Sequence, residues 1–157
     1  MKEINFLKLL RKQNKLVLVE PNEEVGKSYL QKSESNLISS KILLRNSRFE
    51  ESISLSYYSM YNILLALLFR VGIKSENHSA SIVVLNKLFG IDHSKIFFAK
   101  RERIDKQYYT DFNITKKDTE DLIFVAEDFN TKLIDFISKL TNEWIKIYRN
   151  KFKTLLK

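Results

Sequence analysis

The chain has 157 residues, with 27 Lys+Arg against 19 Asp+Glu (net charge +8), and 44% of it is hydrophobic. It contains no cysteine, which excludes disulfides, a thiolate nucleophile and Cys-ligated zinc. With three glycines, one proline and neither after Gly90, almost nothing interrupts helix, so the expected fold is all-α.

The charge is unevenly placed: residues 1–16 carry +4, residues 138–157 carry +5, and the stretch between them carries −1. Basic ends of this kind suit nucleic acid or an acidic partner, or they simply solvate helix ends. No signal peptide and no apolar run near 18 residues is evident, so a cytoplasmic chain with no membrane contact is expected.

In chain order, residues 4–13 suggest a short amphipathic helix, with Phe6, Leu7, Leu9 and Leu10 as its apolar content. LVLVE at 16–20 has strand character but no evident partner, so an extended lead-in is expected. Residues 1–21 thus form a basic helix and lead-in, and 22–157 one helical bundle. Pro21 and Asn22 open a helix with Glu23 and Glu24 in its first turn, running to about Arg45. Asn46-Ser47 is a tight turn whose side chains are placed to cap the next helix, making an antiparallel hairpin.

The most apolar stretch follows, from Phe49 to Gly72. At 100° per residue, Phe49, Ile53, Tyr57, Met60, Leu64, Leu67 and Val71 fall on one face, and Tyr58, Leu65 and Phe69 on the opposite one. A helix apolar on both sides is the centre of a bundle, and its second face is expected to be buried in a homodimer. Gly72 is placed to end it in a left-handed conformation. Residues 73–77 read as a loop, and a third helix runs from about His78 to Leu88, ended by Gly90. A fourth, about 92–112, has Phe97, Ile104, Tyr108 and Phe112 on its inner face. Thr115 to Asp118 fits a capping box. One last helix then reaches about residue 148, roughly 50 Å long, with an overhanging end. The overhang would carry Lys139, Lys146, Arg149, Lys151, Lys153 and Lys157.

No HExxH, P-loop, GxGxxG or nucleophile elbow occurs, so neither a metal nor a cofactor is expected, and an ordinary metabolic enzyme is disfavoured. His93 reads as structural. The remaining candidate chemistry is KRERIDKQYYTDF at 100–112. There Arg101, Asp105 and Tyr108 share one helix face, whereas Arg103 and Tyr109 lie away from it. Arginine can grip a phosphate bidentately, and tyrosine can stack on a base or donate a hydrogen bond. The same residues also fit an Arg–Asp i,i+4 pair with core tyrosines.

The string SYYSMYNILLALLFRVGI, then NHS, then LNKLF, resembles the HEPN family (higher eukaryotes and prokaryotes nucleotide-binding domain). Arg101, Arg103, Tyr108, Tyr109, Asp111 and Phe112 stand where family members show arginines before an aromatic and a D-F pair. An A-E-D-F stretch is matched by Ala126 to Phe129, and the resemblance covers about residues 25–137. It implies an up-and-down bundle of four or five helices, usually a symmetric dimer. It also implies RNA or nucleotide binding, metal-free ribonuclease or toxin activity in many members, and a minimal nucleotidyltransferase as partner in a toxin–antitoxin-like module. On the resemblance, Arg103, Tyr108 and Tyr109 are the catalytic candidates, and Arg101, Asp105 and His78 the ligand-binding ones. Active members carry a His four to six residues after the Arg; here no His follows His93. A non-catalytic dimeric adaptor that docks an acidic protein through the basic ends is the other reading.

Overall fold

A computed structural model describes the backbone over residues 1–108 and 113–157, and the side chains over 1–105 and 113–157. The chain folds as helices α1 (Lys2–Lys12), α2 (Glu23–Arg45), α3 (Phe49–Val71), α4 (His78–Phe89), α5 (Ser94–Tyr108), α6 (Lys116–Ser138) and α7 (Asn142–Leu155). Strand β1 (Leu16–Leu18) follows α1, and β2 (Ile73–Ser75) follows α3.

The helix ends are set by local chemistry. Asn22 Oδ1 accepts from Val25 N at 3.0 Å to start α2, and Asn77 Oδ1 accepts from Ala80 N at 2.9 Å to start α4. Thr115 and Asp118 close a reciprocal capping box on α6. Gly72 (φ 82°) and Gly90 (φ 70°) end α3 and α4 in the left-handed region. The α2–α3 turn departs from expectation, because Asn46 Nδ2 donates back to Ile42 O at 2.8 Å and α3 receives no side-chain cap.

The packing runs outward from α3. Tyr57, Met60, Leu64, Leu67 and Val71 are fully enclosed, as the periodicity requires. By length and composition α3 passes as a membrane span, but 67% of its most apolar window is buried inside the protein. The second face is half covered within the chain itself: Tyr29 of α2 stacks on Phe69 (centroids 5.4 Å apart), and Arg103 of α5 lies over Tyr58.

Between α2 and α3 runs a seam of small residues at intervals of seven: Gly26, Ser33 and Ser40 against Ala66, Ser59 and Ser52. Ser33 and Ser59 each donate to the other's carbonyl at 2.7 Å. Ser40 donates to Ser52 O at 3.0 Å, and Ser52 to Ser40 O at 2.8 Å. A Cβ added at Gly26 would lie 3.4 Å from Ala66 O, so the backbones approach closely at that end too. Asn130 of α6 reaches in and donates to Ser59 Oγ at 2.8 Å. Buried hydroxyls are tolerable here because each has a partner.

Two features correct the sequence reading. The extended lead-in is a strand: β1 pairs antiparallel with β2, Leu16 opposite Ser75 and Leu18 opposite Ile73, so the segment after Gly72 is not simply a loop. Leu16 and Ile73 are both fully buried, which gives the short ladder its reason. The expected last helix divides into α6 and α7, because Thr141 Oγ1 accepts from Trp144 N at 3.2 Å and starts a new helix. Its end does not overhang, since Ile145, Phe152 and Leu156 join the core.

Candidate functional site

The site begins where α5 packs on α3. Ile96 and Ala99 are fully buried, and Arg103, one turn beyond Ala99, lies on the same stripe. The inner face of α5 is therefore turned relative to the expected one: Arg103 points in, whereas Arg101 is exposed. The Arg103 guanidinium carbon sits 4.9 Å from the Tyr58 ring centroid and 5.8 Å from that of Tyr57. Its Nε is buried with no hydrogen-bond partner among the described residues.

The start of α4 supplies the second side. His78, just after the Asn77 cap, stacks on Tyr61 with centroids 3.8 Å apart, and its Nδ1 lies 2.9 Å from the Tyr57 hydroxyl. Tyr61 Oη and Ser81 Oγ are 3.2 Å apart. Lys100 of α5 crosses to donate to Ser79 Oγ at 2.6 Å. Three helices thus bring Tyr57, Tyr58 and Tyr61, His78 and Ser79, and Lys100 and Arg103 together.

The electrostatics have one sign. Burial first, then the charges of Lys100 and Arg103, hold the His78 ring below its ordinary value, so it is neutral at pH 7. Burial and Arg103 likewise push Lys100 down. Burial drives the Tyr57 phenol far above the usual tyrosine range, and raises Tyr61 as well. Among the described residues no carboxylate forms an ion pair with Lys100 or Arg103. The positive end of α4 adds to the same sign.

Of the residues picked from sequence, the structure brings Arg103 and His78 together on Tyr57. Arg101 lies outside this cluster, on a groove of about 350 Å³ with Phe97, Lys100 and Ile104. Asp105 is half-buried and forms no ion pair with Arg101. Tyr108 ends α5, but its side chain lies outside the described residues, and so do Tyr109, Asp111 and Phe112. Lys100, Ser79, Tyr57 and Tyr61 were not singled out as ligand candidates. Their signal was the Y-Y-x-x-Y spacing of α3 beside the N-H-S at the start of α4.

His93 packs on Phe97 with Glu3 Oε1 3.9 Å from its Nε2, and both ring nitrogens are buried with no hydrogen-bond partner among the described residues. No cluster of metal-ligating side chains occurs among the described residues. The basic ends are partly consumed by the fold. Arg149 donates to Val19 O at 2.7 Å and to Val71 O and Gly72 O at 3.0 Å, closing the end of α3. Lys151 donates to Leu88 O, and Arg11 to Leu156 O, each at 2.7 Å. These cations stabilise helix C-termini, and Arg11 and Arg149 also line open grooves of about 720 and 500 Å³.

The family model described as HEPN domain matches residues 27–139, a span that holds every cluster residue and leaves out α1, β1 and α7. The chain is also similar to the UPF0332 protein PH1297 of Pyrococcus horikoshii, 29% identical over 133 residues, covering 83% of this chain and 87% of that protein.

Proposed function

The chain belongs to the HEPN domain family, a group generally tied to nucleotides and RNA, and on that premise we propose that it binds RNA or a nucleotide where α5 crosses α3 and the start of α4. One observation carries the reading: Lys100 and Arg103 stand together, half-buried beside stacked aromatic rings, with no ion-pairing carboxylate among the described residues. Leaving cations without a counter-charge costs stability in the free protein, and a nucleic-acid phosphate supplies that counter-charge. Tyrosine rings beside a guanidinium also suit an unstacked base.

Pairing with a minimal nucleotidyltransferase, in a toxin–antitoxin-like module, is part of this proposal and rests on the family resemblance alone. So is a symmetric dimer through the exposed remainder of Tyr58, Leu65 and Phe69, which sedimentation at micromolar concentration tests. Arg11, Arg149 and Lys151, drawn from the basic ends, are engaged on helix-end carbonyls, while Lys8, Lys12 and Lys157 line an open groove, so a dimeric adaptor docking an acidic protein there is the alternative reading.

The test is anisotropy of a labelled single-stranded RNA at fixed low salt. Arg103→Met is expected to weaken binding by about 1.5–3 kcal/mol, the range for a charge-assisted hydrogen bond. Equal affinity of wild type and variant, both folded, would remove the proposal.

A further inference from the structure

Resting on the reading of this cleft as a nucleotide or RNA site, we propose that His78, Ser79, Lys100 and Arg103 hold a single phosphate group, with the neutral His78 ring donating to it from Nε2.

Tyr57 decides the form of the ring. Its hydroxyl touches His78 Nδ1 at 2.9 Å, has no other hydrogen-bond partner among the described residues, and burial keeps it protonated. The phenol therefore donates O–H to Nδ1, and the neutral imidazole carries its hydrogen on Nε2. That nitrogen has no partner among the described residues and is not one of the buried orphan atoms, and the His78 side chain as a whole is half-buried. The face-to-face stack on Tyr61 fixes the ring plane. A ring in this form donates a hydrogen bond and has no free lone pair, so His78 is a binding group and not the base for a ribose hydroxyl.

The other donors lie close enough to His78 for the charges of Lys100 and Arg103 to act on its ring. The Lys100 ammonium spends one hydrogen on Ser79 Oγ, which leaves two, and the serine keeps its own O–H. The guanidinium of Arg103 forms no hydrogen bond or ion pair among the described residues. An N–H from imidazole, an O–H, an ammonium and a guanidinium fork outnumber the acceptors of a carboxylate. They suit the three terminal oxygens of a phosphate monoester or the two non-bridging oxygens of a phosphodiester. In the free protein the Lys100 and Arg103 cations repel one another, a cause that comes second to burial in lowering Lys100. A bound phosphate turns that repulsion into attraction.

Calorimetry at low salt with adenosine, 5′-AMP and an ApA dinucleotide lacking a terminal phosphate tests the subsite. 5′-AMP or ApA is expected to bind at least about tenfold tighter than adenosine. If 5′-AMP is the tighter of these two, the subsite takes a terminal phosphate; if ApA is, it takes the chain phosphodiester. Lys100→Met and His78→Ala should remove most of that gain and leave adenosine unchanged, and His78→Gln, which keeps an N–H near the Nε2 position, should restore part of it. Long-range proton–nitrogen NMR of the free protein at pH 7.5 should show His78 protonated on Nε2 alone. If His78→Ala fails to fold, Lys100→Met, which severs only the contact to Ser79, decides the matter. Equal binding of all three ligands, or no effect of Lys100→Met, overturns the subsite. Should Arg103→Met still weaken RNA binding in that case, the cleft reading stands alone; if it does not, both fall.

Discussion

Helix α3 faces two polar neighbourhoods that are built on opposite rules. Toward α2, serines at intervals of seven exchange hydrogen bonds in reciprocal pairs, and Asn130 adds a further donor. Toward α4 and α5, Lys100 and Arg103 are half-buried with no carboxylate paired to them among the described residues. The seam pairs all of its serine hydroxyls internally, although Asn130 Oδ1 is buried with no partner among the described residues; a buried orphan group costs about 1–3 kcal/mol. The other face leaves Lys100 and Arg103 without a paired carboxylate among the described residues, and the proposed site rests on that difference. The difference teaches which polar residues to read as scaffold and which as site.

The contrast can be broken first at the seam. Ser59→Leu would force a large side chain between backbones that Ser33 and Ser59 hold together, would take the Ser59 hydroxyl from the Ser33 carbonyl, and would leave Asn130 Nδ2 only its longer contact to Ser33 Oγ. A loss of about 3 kcal/mol or more is expected, read from a urea melt followed by circular dichroism. A near-native midpoint would mean that the seam is loosely packed.

Arg149→Met is the next step down. It leaves the carbonyls of Val19, Val71 and Gly72 without their shared donor, at an expected cost of about 1–3 kcal/mol in the same melt. RNA affinity should hardly change, since this arginine belongs to the scaffold. A variant of normal stability with weak RNA binding would instead return the basic C-terminus to the site.

The smallest effect concerns His78 and pH. Its folded value lies below the ordinary 6.5, so as pH falls the unfolded chain takes up the proton first. The unfolded state then binds more protons, and stability declines as pH drops from about 6.5 toward the folded value. Between pH 7.5 and 5.5 the wild type should therefore lose more urea stability than His78→Gln. Parallel curves for the two proteins would show that the ring is not held neutral by its neighbours.

How much of this was legible depends on how local the cause is. The starts of α2 and α6 were readable because Asn22 and the Thr115–Asp118 box act within one turn. Gly72 and Gly90 were readable for the same reason. The pairing of Leu16–Leu18 with Ile73–Ser75 was not, because its partner lies more than 50 residues away and each strand alone looks irregular. The restart at Thr141 was hidden by an apolar stripe that continues across it. In α5 the bulk of Phe97 and Ile104 outweighed Ala99 on the helical wheel. Yet a small residue lets two helices approach closely, and Ala99 carries Arg103 inward with it. His78 and Arg103 were each visible in sequence as candidates. Their meeting on one tyrosine, His78 at the Tyr57 hydroxyl and Arg103 over its ring, depends on how α3, α4 and α5 cross, and no spacing along the chain encodes that.

The most direct measurement is backbone amide NMR of the intact chain while single-stranded RNA is titrated in at low salt. The largest shifts are expected at residues 78–81, at the start of α4, and at 96–104 of α5, with the α2–α3 seam quiet. Shifts confined to α1 and α7, with 78–81 and 96–104 unmoved, would contradict the account and place any nucleic-acid contact on the basic ends.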